Sequence, residues 1–299
     1  MNATLAAGTY RCRDIAGAVS AALDAGVEWI DTAPNYANGT AETRLRPVLA
    51  ARPGLGVSTK VGFVPRRDWE EAAAAGVLPG SGADRGHCLS RSYVAWQLAR
   101  SRIRLGRAPE LVFVHNPEHA AVGRDSVLSA LTEVFGELEC AVDAGLTSGY
   151  GVATWTGLSS GLLTVSDLTA LAQRAGGPRH HFKALQLPVS LVHLAGVAEA
   201  LDGGGPLHDA REAGLHVFAS APLGGGDLPR LMTPELVQLI APSASAAQAA
   251  LMVALSAPGV SRVLLSASTR AHWADAESAA AWAPLPHEHL RRAIDVLGT

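Results

Sequence analysis

The sequence predicts a single α/β domain over residues 1–299, a (β/α)8 barrel of the TIM type with a long insertion after strand 3. Short runs of Val, Ile, Leu and aromatic residues alternate with longer runs of helical spacing along almost the whole chain. A chain of 299 residues is long enough to bury a large core. No Gly-rich phosphate turn opens the first helix, which disfavours the competing open, doubly wound sheet.

Eight strands are predicted in chain order, at residues 5–9, 27–30, 55–59, 111–114, 149–153, 183–187, 215–219 and 262–265. The first has the weakest pattern, because Gly8 interrupts it. Helices are predicted at residues 14–25, 41–51, 89–105, 126–144, 166–175, 205–213, 244–256 and 270–281. Residues 62–87 are long, irregular and rich in Pro and Gly, so they are predicted to form a loop insertion after the third strand.

The composition excludes several classes of protein. A net charge of -3 and the absence of any long Lys/Arg cluster argue against a nucleic-acid partner. No apolar run reaches the roughly 18 residues of a membrane span, and the first residues lack a signal-peptide pattern, so a cytoplasmic location is predicted. Cys12, Cys88 and Cys140 are widely spaced and are expected to be buried thiols rather than a disulfide framework. No metal-binding motif is present, so no metal is predicted.

Three successive predicted strands run into a reactive polar residue. Strand two meets Asp31, strand three meets Lys60 and strand four meets His115. Because the carboxyl ends of parallel barrel strands open at one rim, these side chains are expected to converge there. Tyr36 follows Asp31 in a turn that contains Pro and Asn, and it is predicted to reach back over the same rim.

These four residue types suit proton donation to a carbonyl oxygen while a hydride reaches its carbon. A tyrosine titrates near pH 10, and the ammonium of Lys60 is expected to lower the pKa of Tyr36. Asp31 would keep Lys60 charged and oriented, while His115 would hydrogen-bond the substrate oxygen. The alternative is a purely structural Lys60–Asp31 ion pair, which becomes less plausible once Tyr36 and His115 are in register.

The motifs that carry these residues are Asp-Thr-Ala-Pro-Asn-Tyr at 31–36, Ser-Thr-Lys-Val-Gly at 58–62 and Val-His-Asn-Pro at 114–117. Through them the chain resembles the aldo-keto reductase superfamily, and the resemblance extends from Gly-Thr-Tyr at 8–10 to Ser-Ala-Ser at 266–268. The resemblance implies a catalytic set of Asp31, Tyr36, Lys60 and His115. It also implies that NADPH binds in an extended form without a Rossmann domain, and that the substrate is a small aldehyde, ketone or corresponding alcohol.

The resemblance further implies a set of cofactor-binding residues. Gln186 matches the side chain that contacts the nicotinamide carboxamide, and residues 223–226 match a loop whose backbone amides accept the pyrophosphate. The complete set is Gly8, Thr9, Tyr10, Thr154, Gln186, Ser220, Leu223, Gly224, Gly225, Ser266, Ala267, Ser268 and Arg270.

Several of these positions depart from the family pattern. Ala153 and Thr154 replace the Ser-Asn pair that often grips the carboxamide, and Ser220 replaces an aromatic residue that stacks on the nicotinamide. Ala276 stands near the position of an adenine-binding Asn, and Arg270 is the one guanidinium near the expected 2′-phosphate. NADPH is therefore expected from the family, with NADH left open.

Three functions remain distinct hypotheses. The first is reduction of a carbonyl or oxidation of an alcohol with a nicotinamide cofactor. The second keeps Tyr36 and Lys60 as acid and base in a cofactor-independent lyase, isomerase or cyclase. The third is a non-catalytic regulatory subunit.

Trp69 and Trp155 lie in predicted rim loops and are expected to line a substrate pocket, with core packing as the alternative. Substrate identity and the choice between monomer and homo-oligomer stay open.

Overall fold

The computed structural model describes residues 2–12, 14–78, 86–120 and 122–298. Eight strands are hydrogen-bonded in sequence order in a closed barrel, which confirms the predicted α/β barrel. The first strand, predicted from the weakest pattern, is present. The strands are β1 Thr4–Gly8, β2 Trp29–Asp31, β3 Gly56–Val61, β4 Leu111–His115, β5 Tyr150–Ala153, β6 Phe182–Pro188, β7 His216–Ser220 and β8 Val260–Leu265.

The described helices include all eight that the sequence predicts. They are α1 Ile15–Asp24, α2 Ala41–Ala51, α3 Trp69–Ala74, α4 Arg91–Leu105, α5 Arg124–Asp143, α6 Val165–Gly176, α7 Ala195–Leu201, α8 Gly205–Glu212, α9 Leu228–Leu231, α10 Pro234–Ile240, α11 Ala246–Ser256, α12 Arg270–Trp282 and α13 His287–Leu297. Sequence analysis missed α3, α7, α9, α10 and α13. The first four have at most seven residues, too few for a helical period to stand out, and α13 begins just after prolines.

Contacts divide the chain into two compact units. One comprises residues 2–8, 17–27 and 186–298, and within it β8 pairs in parallel with both β1 and β7. The other comprises residues 9–16 and 28–185, apart from residues 13, 79–85 and 121, which lie outside the described part, and it contains the parallel run from β2 to β5. The register of that run places Asp31 opposite Ser58, Lys60 opposite Phe113 and His115 opposite Ala153.

Burial explains why the strands read as nearly continuous apolar runs. In β4, Leu111 to Val114 are all buried, and the same is true of Val57 to Val61 in β3. Parallel strands of α/β proteins have both faces covered, so polar residues inside them stand out. The buried polar members of β3 are Ser58, Thr59 and Lys60.

The segment after β3 is more regular than expected. Phe63 pairs with His87 in an antiparallel bridge, a 3-10 turn covers Arg66–Asp68, and α3 follows directly. The expectation of an irregular loop was therefore wrong for residues 66–74. Ala72 of α3 is fully buried with Tyr93, which stabilises this short helix. Residues 79–85 lie outside the described residues, and an insertion at this position stays a prediction.

The cysteines differ from expectation in their burial. Cys88 is buried, but Cys12 is partly exposed and Cys140 is exposed, so the prediction of buried thiols was wrong for two of the three. All three are free.

The described residues contain neither a cluster suited to a metal ion nor a helix suited to a membrane. No group of three or more His, Cys, Asp or Glu side chains there could hold a metal ion. None of the helices in the described ranges is long and apolar enough to cross a membrane.

Candidate active site

A buried ion pair joins the ends of β2 and β3. The Lys60 Nζ lies 2.5 Å from Asp31 Oδ2 and donates a second hydrogen bond of 3.0 Å to the carbonyl oxygen of Thr32. The other carboxylate oxygen of Asp31 accepts from Ser58 Oγ at 2.8 Å. Lys60 is 1% exposed and Asp31 3% exposed. Buried charges need such partners, because an unpaired charge in a protein interior is strongly destabilising.

Tyr36 packs its ring against the lysine of this pair. The Lys60 Nζ lies 4.9 Å from the centroid of the ring, within range of a cation–π interaction. On another side, the ring centroid of Tyr10 is 5.2 Å away. The chain reverses just after Tyr36, because Ala37 and Asn38 have positive φ values of 48° and 53°. Tyr36 itself lies beside Lys60 at the strand ends.

The protonation of Tyr36 differs from expectation. Burial raises the pKa of Tyr36, and this outweighs the lowering effect of Lys60, so the net pKa lies above the ordinary value of 10.0. For Lys60 the balance favours the charged form. Burial lowers its pKa, but Asp31 and Tyr36 raise it by more, so the net pKa lies above the ordinary value. The predicted influence of the ammonium on the phenol is present, but the predicted net acidification was wrong. Tyr36 is therefore a neutral phenol beside a charged ammonium at neutral pH.

His115 completes the group at the end of β4. Its ring centroid lies 6.1 Å from that of Tyr36, with the rings edge to face. Burial, followed by the charge of Lys60 and by His87 and His119, lowers the pKa of His115 well below its usual value. The ring is therefore neutral at physiological pH, with one donor and one acceptor nitrogen. All four residues expected at the rim are brought together.

Two neighbours of the group were not singled out from sequence. Ser58 holds Asp31, and His87 contacts the backbone of His115. Ser58 could have been found, because it is polar within a buried strand and precedes Lys60 by two positions, which places it on the same face of the strand. His87 carried no such indication, since it lies 28 residues from its partner.

Three of the expected cofactor residues, Thr9, Tyr10 and Thr154, lie in the same compact unit as the group around Lys60. Two of them donate hydrogen bonds within the protein, and the third is exposed. Thr9 is buried and donates to Thr32 Oγ1 at 2.8 Å, so its hydroxyl joins two strand ends. Thr154 donates to Glu118 at 2.8 Å and accepts from the backbone of Gly157 at 2.8 Å. Its proton is already used within the protein. Tyr10, by contrast, is 56% exposed and can meet a ligand.

In the unit that contains β8, the expected phosphate-binding residues are accessible. Ser266 and Ser268 are exposed, and Arg270 is the first residue of α12, with a side chain 76% exposed that lies 3.4 Å from Asp24. A Cβ at Gly8 would lie 2.9 Å from Ser266 Oγ, so a larger residue there would displace that hydroxyl. Ala267 contributes a carbonyl that accepts from the indole of Trp273. The exposed hydroxyls and the guanidinium are suited to a phosphate.

The remaining cofactor residues follow β6 and β7 of that unit. Gln186 lies in β6 and is buried, while Ser220 ends β7 and accepts a backbone bond from Val189. Leu223 precedes a turn of three glycines with φ values of 56°, 75° and 98° at Gly224, Gly225 and Gly226. The amides of Gly224 and Gly226 already bond to carbonyls within the turn, so they are not directed outward. Glycine can adopt these positive φ values without steric strain, because it has no Cβ.

The two tryptophans expected near the substrate differ in their surroundings. Trp155 is 48% exposed just past β5, and its amide donates to Glu118. Trp69 packs against the buried cluster that contains Cys88 and Tyr93. The structure therefore favours packing as the role of Trp69 and leaves the indole of Trp155 able to meet a ligand.

Backbone strain is found beside the expected site residues. Among the described residues, positive φ outside glycine occurs at Arg11, Ala37, Asn38, Asn116 and Ala221. Each follows Tyr10, Tyr36, His115 or Ser220 by one or two positions. Strained backbone of this kind is commonly found at functional sites, where the surrounding structure maintains it.

Comparison with known proteins places the chain among reductases. Residues 3–235 match the model of the Aldo/keto reductase family. A 6-dehydroglucose reductase from Novosphingobium aromaticivorans is 28% identical over 261 residues, which are 85% of this chain and 71% of that protein.

Solved structures show the same fold. An aldo/keto reductase from Klebsiella pneumoniae in complex with NADP and acetate is 19% identical with a TM-score of 0.69, covering 98% of this chain and 91% of that one. The holo form of an aldo-keto reductase from Bacillus halodurans is 18% identical with a TM-score of 0.68 and the same coverage. Because the family model spans most of the 299 residues, the chain belongs to the aldo/keto reductase family and is an oxidoreductase of that family.

Proposed function

We propose that the protein reduces an aldehyde or ketone with NADPH, or oxidises the corresponding alcohol, with Tyr36 as the general acid. The observation that carries this proposal is the contact of Tyr36 with the buried Lys60–Asp31 pair beside a neutral His115. When bound, the nicotinamide cofactor supplies the hydride.

Each member of the group has a defined task. His115 donates a hydrogen bond to the substrate oxygen through its protonated ring nitrogen and positions it near Tyr36. Tyr36 gives its phenolic proton to that oxygen as negative charge develops there. Lys60 stabilises the resulting phenolate, and Asp31 keeps Lys60 charged and in place. In the oxidation direction, the phenolate takes the proton back from the alcohol.

Residues near β8 fit the cofactor phosphates. Arg270 is exposed at the first turn of α12, and Ser266 and Ser268 offer exposed hydroxyls. A guanidinium and a helix N-terminus both favour a phosphate group. NADPH is therefore proposed over NADH, which lacks the 2′-phosphate. Two solved relatives from Klebsiella pneumoniae bind NADP and NADPH.

We also propose a substrate class, a polyhydroxylated carbonyl compound of sugar type. The relative from Novosphingobium aromaticivorans is a 6-dehydroglucose reductase. Around His115, the ring of Phe63 lies 4.7 Å from the His115 ring and 5.8 Å from that of the exposed His119. Tyr10 and Trp155 add exposed aromatic rings in the same unit. Flat apolar rings beside hydrogen-bonding groups suit a molecule that presents both C–H faces and hydroxyls.

A titration and a carbonyl panel test the proposal. The purified protein is titrated with NADPH and with NADH by following the fluorescence of the reduced nicotinamide. Oxidation of bound NADPH is then measured with aldoses, with a sugar-derived aldehyde at C6 and with aliphatic aldehydes of matched length. We expect binding of NADPH and preferential reduction of the hydroxylated compounds. If neither cofactor binds at millimolar concentration, the reductase proposal is wrong.

The same assays separate the other hypotheses. Turnover of a carbonyl compound without any nicotinamide would favour a lyase, isomerase or cyclase. A Tyr36→Phe variant that behaves like the wild type in every assay would favour the regulatory subunit. We retain the prediction of a cytoplasmic enzyme, and its test is fractionation of cells that express the chain.

A further inference from the structure

His87 makes a specific contact with the residue proposed to hold the substrate. Its ring is 3% exposed, and its Nε2 lies 2.7 Å from the carbonyl oxygen of His115. A carbonyl oxygen only accepts hydrogen bonds, so Nε2 must carry the proton. In the neutral ring Nδ1 then has no proton, and this atom is buried without a hydrogen-bond partner among the described residues.

A short antiparallel pairing holds His87 in place. The amide of Val64 donates to Gly86 at 2.8 Å, and the amide of Cys88 donates to Gly62 at 2.7 Å. Gly62 has a φ of 126°, and a Cβ there would lie 2.9 Å from Nε2 of His87. Glycine at this position therefore allows the imidazole to approach the end of β4.

The contact lies where the backbone leaves β4. The next residue, Asn116, has a φ of 47°, so the chain turns sharply after His115. The ring of Phe63 packs edge-on against both imidazoles, with centroid distances of 4.8 Å to His87 and 4.7 Å to His115. His115 is thus held through its main chain by His87 and through its ring by Phe63.

We propose that His87 is a positioning residue, which orients His115 toward the substrate oxygen by donating a hydrogen bond to its backbone carbonyl. The inference rests on the proposed role of His115 as a donor to the substrate. A shift of about 1 Å in a positioned group can lower the rate of an enzyme by about 100-fold, so the orientation of His115 matters for kcat.

The contact is made by a neutral His87. The groups that face it are His115, His119 and Glu118. A second proton would sit on the buried Nδ1, where no residue that the structure describes offers an acceptor. Burial accordingly lowers the pKa of His87, against the opposing effect of its bond to His115. His87 should therefore act as a fixed donor across the neutral pH range.

Two substitutions separate the hydrogen bond from packing. His87→Phe keeps a ring of similar size and removes the donor, whereas His87→Gln keeps an N–H that can reach the carbonyl. His287→Gln, at an exposed position on α13, is the matched control. For each variant the measurements are kcat and KM with a turned-over carbonyl, NADPH affinity, thermal unfolding, and the imidazole ¹⁵N resonances of His115.

We expect His87→Phe to lower kcat by about 10- to 100-fold with little change in NADPH affinity. It should also shift the His115 resonances, while His87→Gln and the control stay close to wild type. Unchanged kcat and unchanged His115 resonances in His87→Phe would overturn the inference. Equal losses in both His87 variants would also overturn it, because packing rather than the donor would then matter. The resonances are read without cofactor, so they decide the inference even if the wild type reduces no carbonyl.

Discussion

In the proposed mechanism, Tyr36 must carry its proton when the substrate arrives and release it during the reaction. Burial raises the pKa of Tyr36, which secures the first requirement. The second does not need an acidic phenol, because the alkoxide left by hydride addition is a stronger base than a phenolate. Lys60, charged through its pairing with Asp31, would stabilise the phenolate once it forms. The ammonium would therefore stabilise the phenolate that proton transfer produces more than it stabilises the neutral phenol of the resting enzyme.

At this scale the first prediction concerns the phenolic hydroxyl. Tyr36→Phe keeps the ring beside Lys60 and Tyr10 and removes the proton donor. We expect kcat to fall by about 100- to 10,000-fold, the range for loss of a general acid, with NADPH affinity unchanged. Steady-state kinetics and a fluorescence titration check this. Tyr10→Phe is the control, since Tyr10 has no proposed proton-transfer role, and a Tyr36→Phe enzyme as fast as that control would contradict the proposal.

The second prediction concerns pH and the two histidines His87 and His115. Burial and neighbouring charges lower the pKa of both His87 and His115 below 6.5, so the folded protein keeps them neutral. As pH falls below about 6.5, the unfolded chain binds protons that the folded chain does not, and each histidine then removes up to about 1.4 kcal/mol of stability per pH unit.

Urea unfolding between pH 7.5 and 5 measures this loss. His87→Gln and His115→Gln should each flatten the decline of the unfolding free energy below pH 6.5, whereas the exposed control His287→Gln should not. Parallel declines in all four proteins would show that neither His87 nor His115 is held neutral by the fold.

At the scale of elements, the strand ends account for most of the site. The sequence places Asp31, Lys60 and His115 just past three predicted strands, but the structure includes them in β2, β3 and β4. The difference of one or two residues arises because the strand ladder continues through polar residues whose side chains find buried partners. The prediction that the three side chains share a rim depends only on the strands being parallel. An error of one or two residues in where each strand ends therefore does not affect it.

The third prediction belongs to the start of α12. If Arg270 binds the 2′-phosphate, Arg270→Met should raise the Kd for NADPH by about tenfold or more, because a charge-assisted hydrogen bond is lost. The Kd for NADH should stay the same. Arg291→Met is a matched control, since Arg291 is also an exposed, ion-paired arginine, with Asp202 as its partner. Fluorescence titrations of both cofactors measure the change, and an equal effect on NADPH and NADH would refute a phosphate contact.

At the scale of the whole molecule, cofactor binding should stabilise the folded chain. A ligand that binds only the native state at 100 times its Kd adds about 2.7 kcal/mol to the free energy of unfolding. We expect NADPH to raise Tm in a concentration-dependent manner and NADH to do so only at higher concentration. Differential scanning fluorimetry checks this, and Tyr36→Phe should show the same rise as wild type, because the phenolic hydroxyl is assigned to proton transfer.

The sequence by itself determined the barrel class, the order of the eight strands and of eight helices between them, and the four polar residues at one rim. These features follow from local periodicity and from the rule that parallel strands open at the same end. It also determined the family, through motifs that lie within short stretches of chain.

Only the tertiary structure decided how those residues behave. The raised pKa of Tyr36, the internal use of the Thr154 hydroxyl, the packing of Trp69 and the contact of His87 with His115 depend on partners distant in sequence. Burial and hydrogen bonding are set by the whole set of neighbours around an atom. A linear pattern shows which groups are present, but the fold sets which of them touch and how far water is excluded.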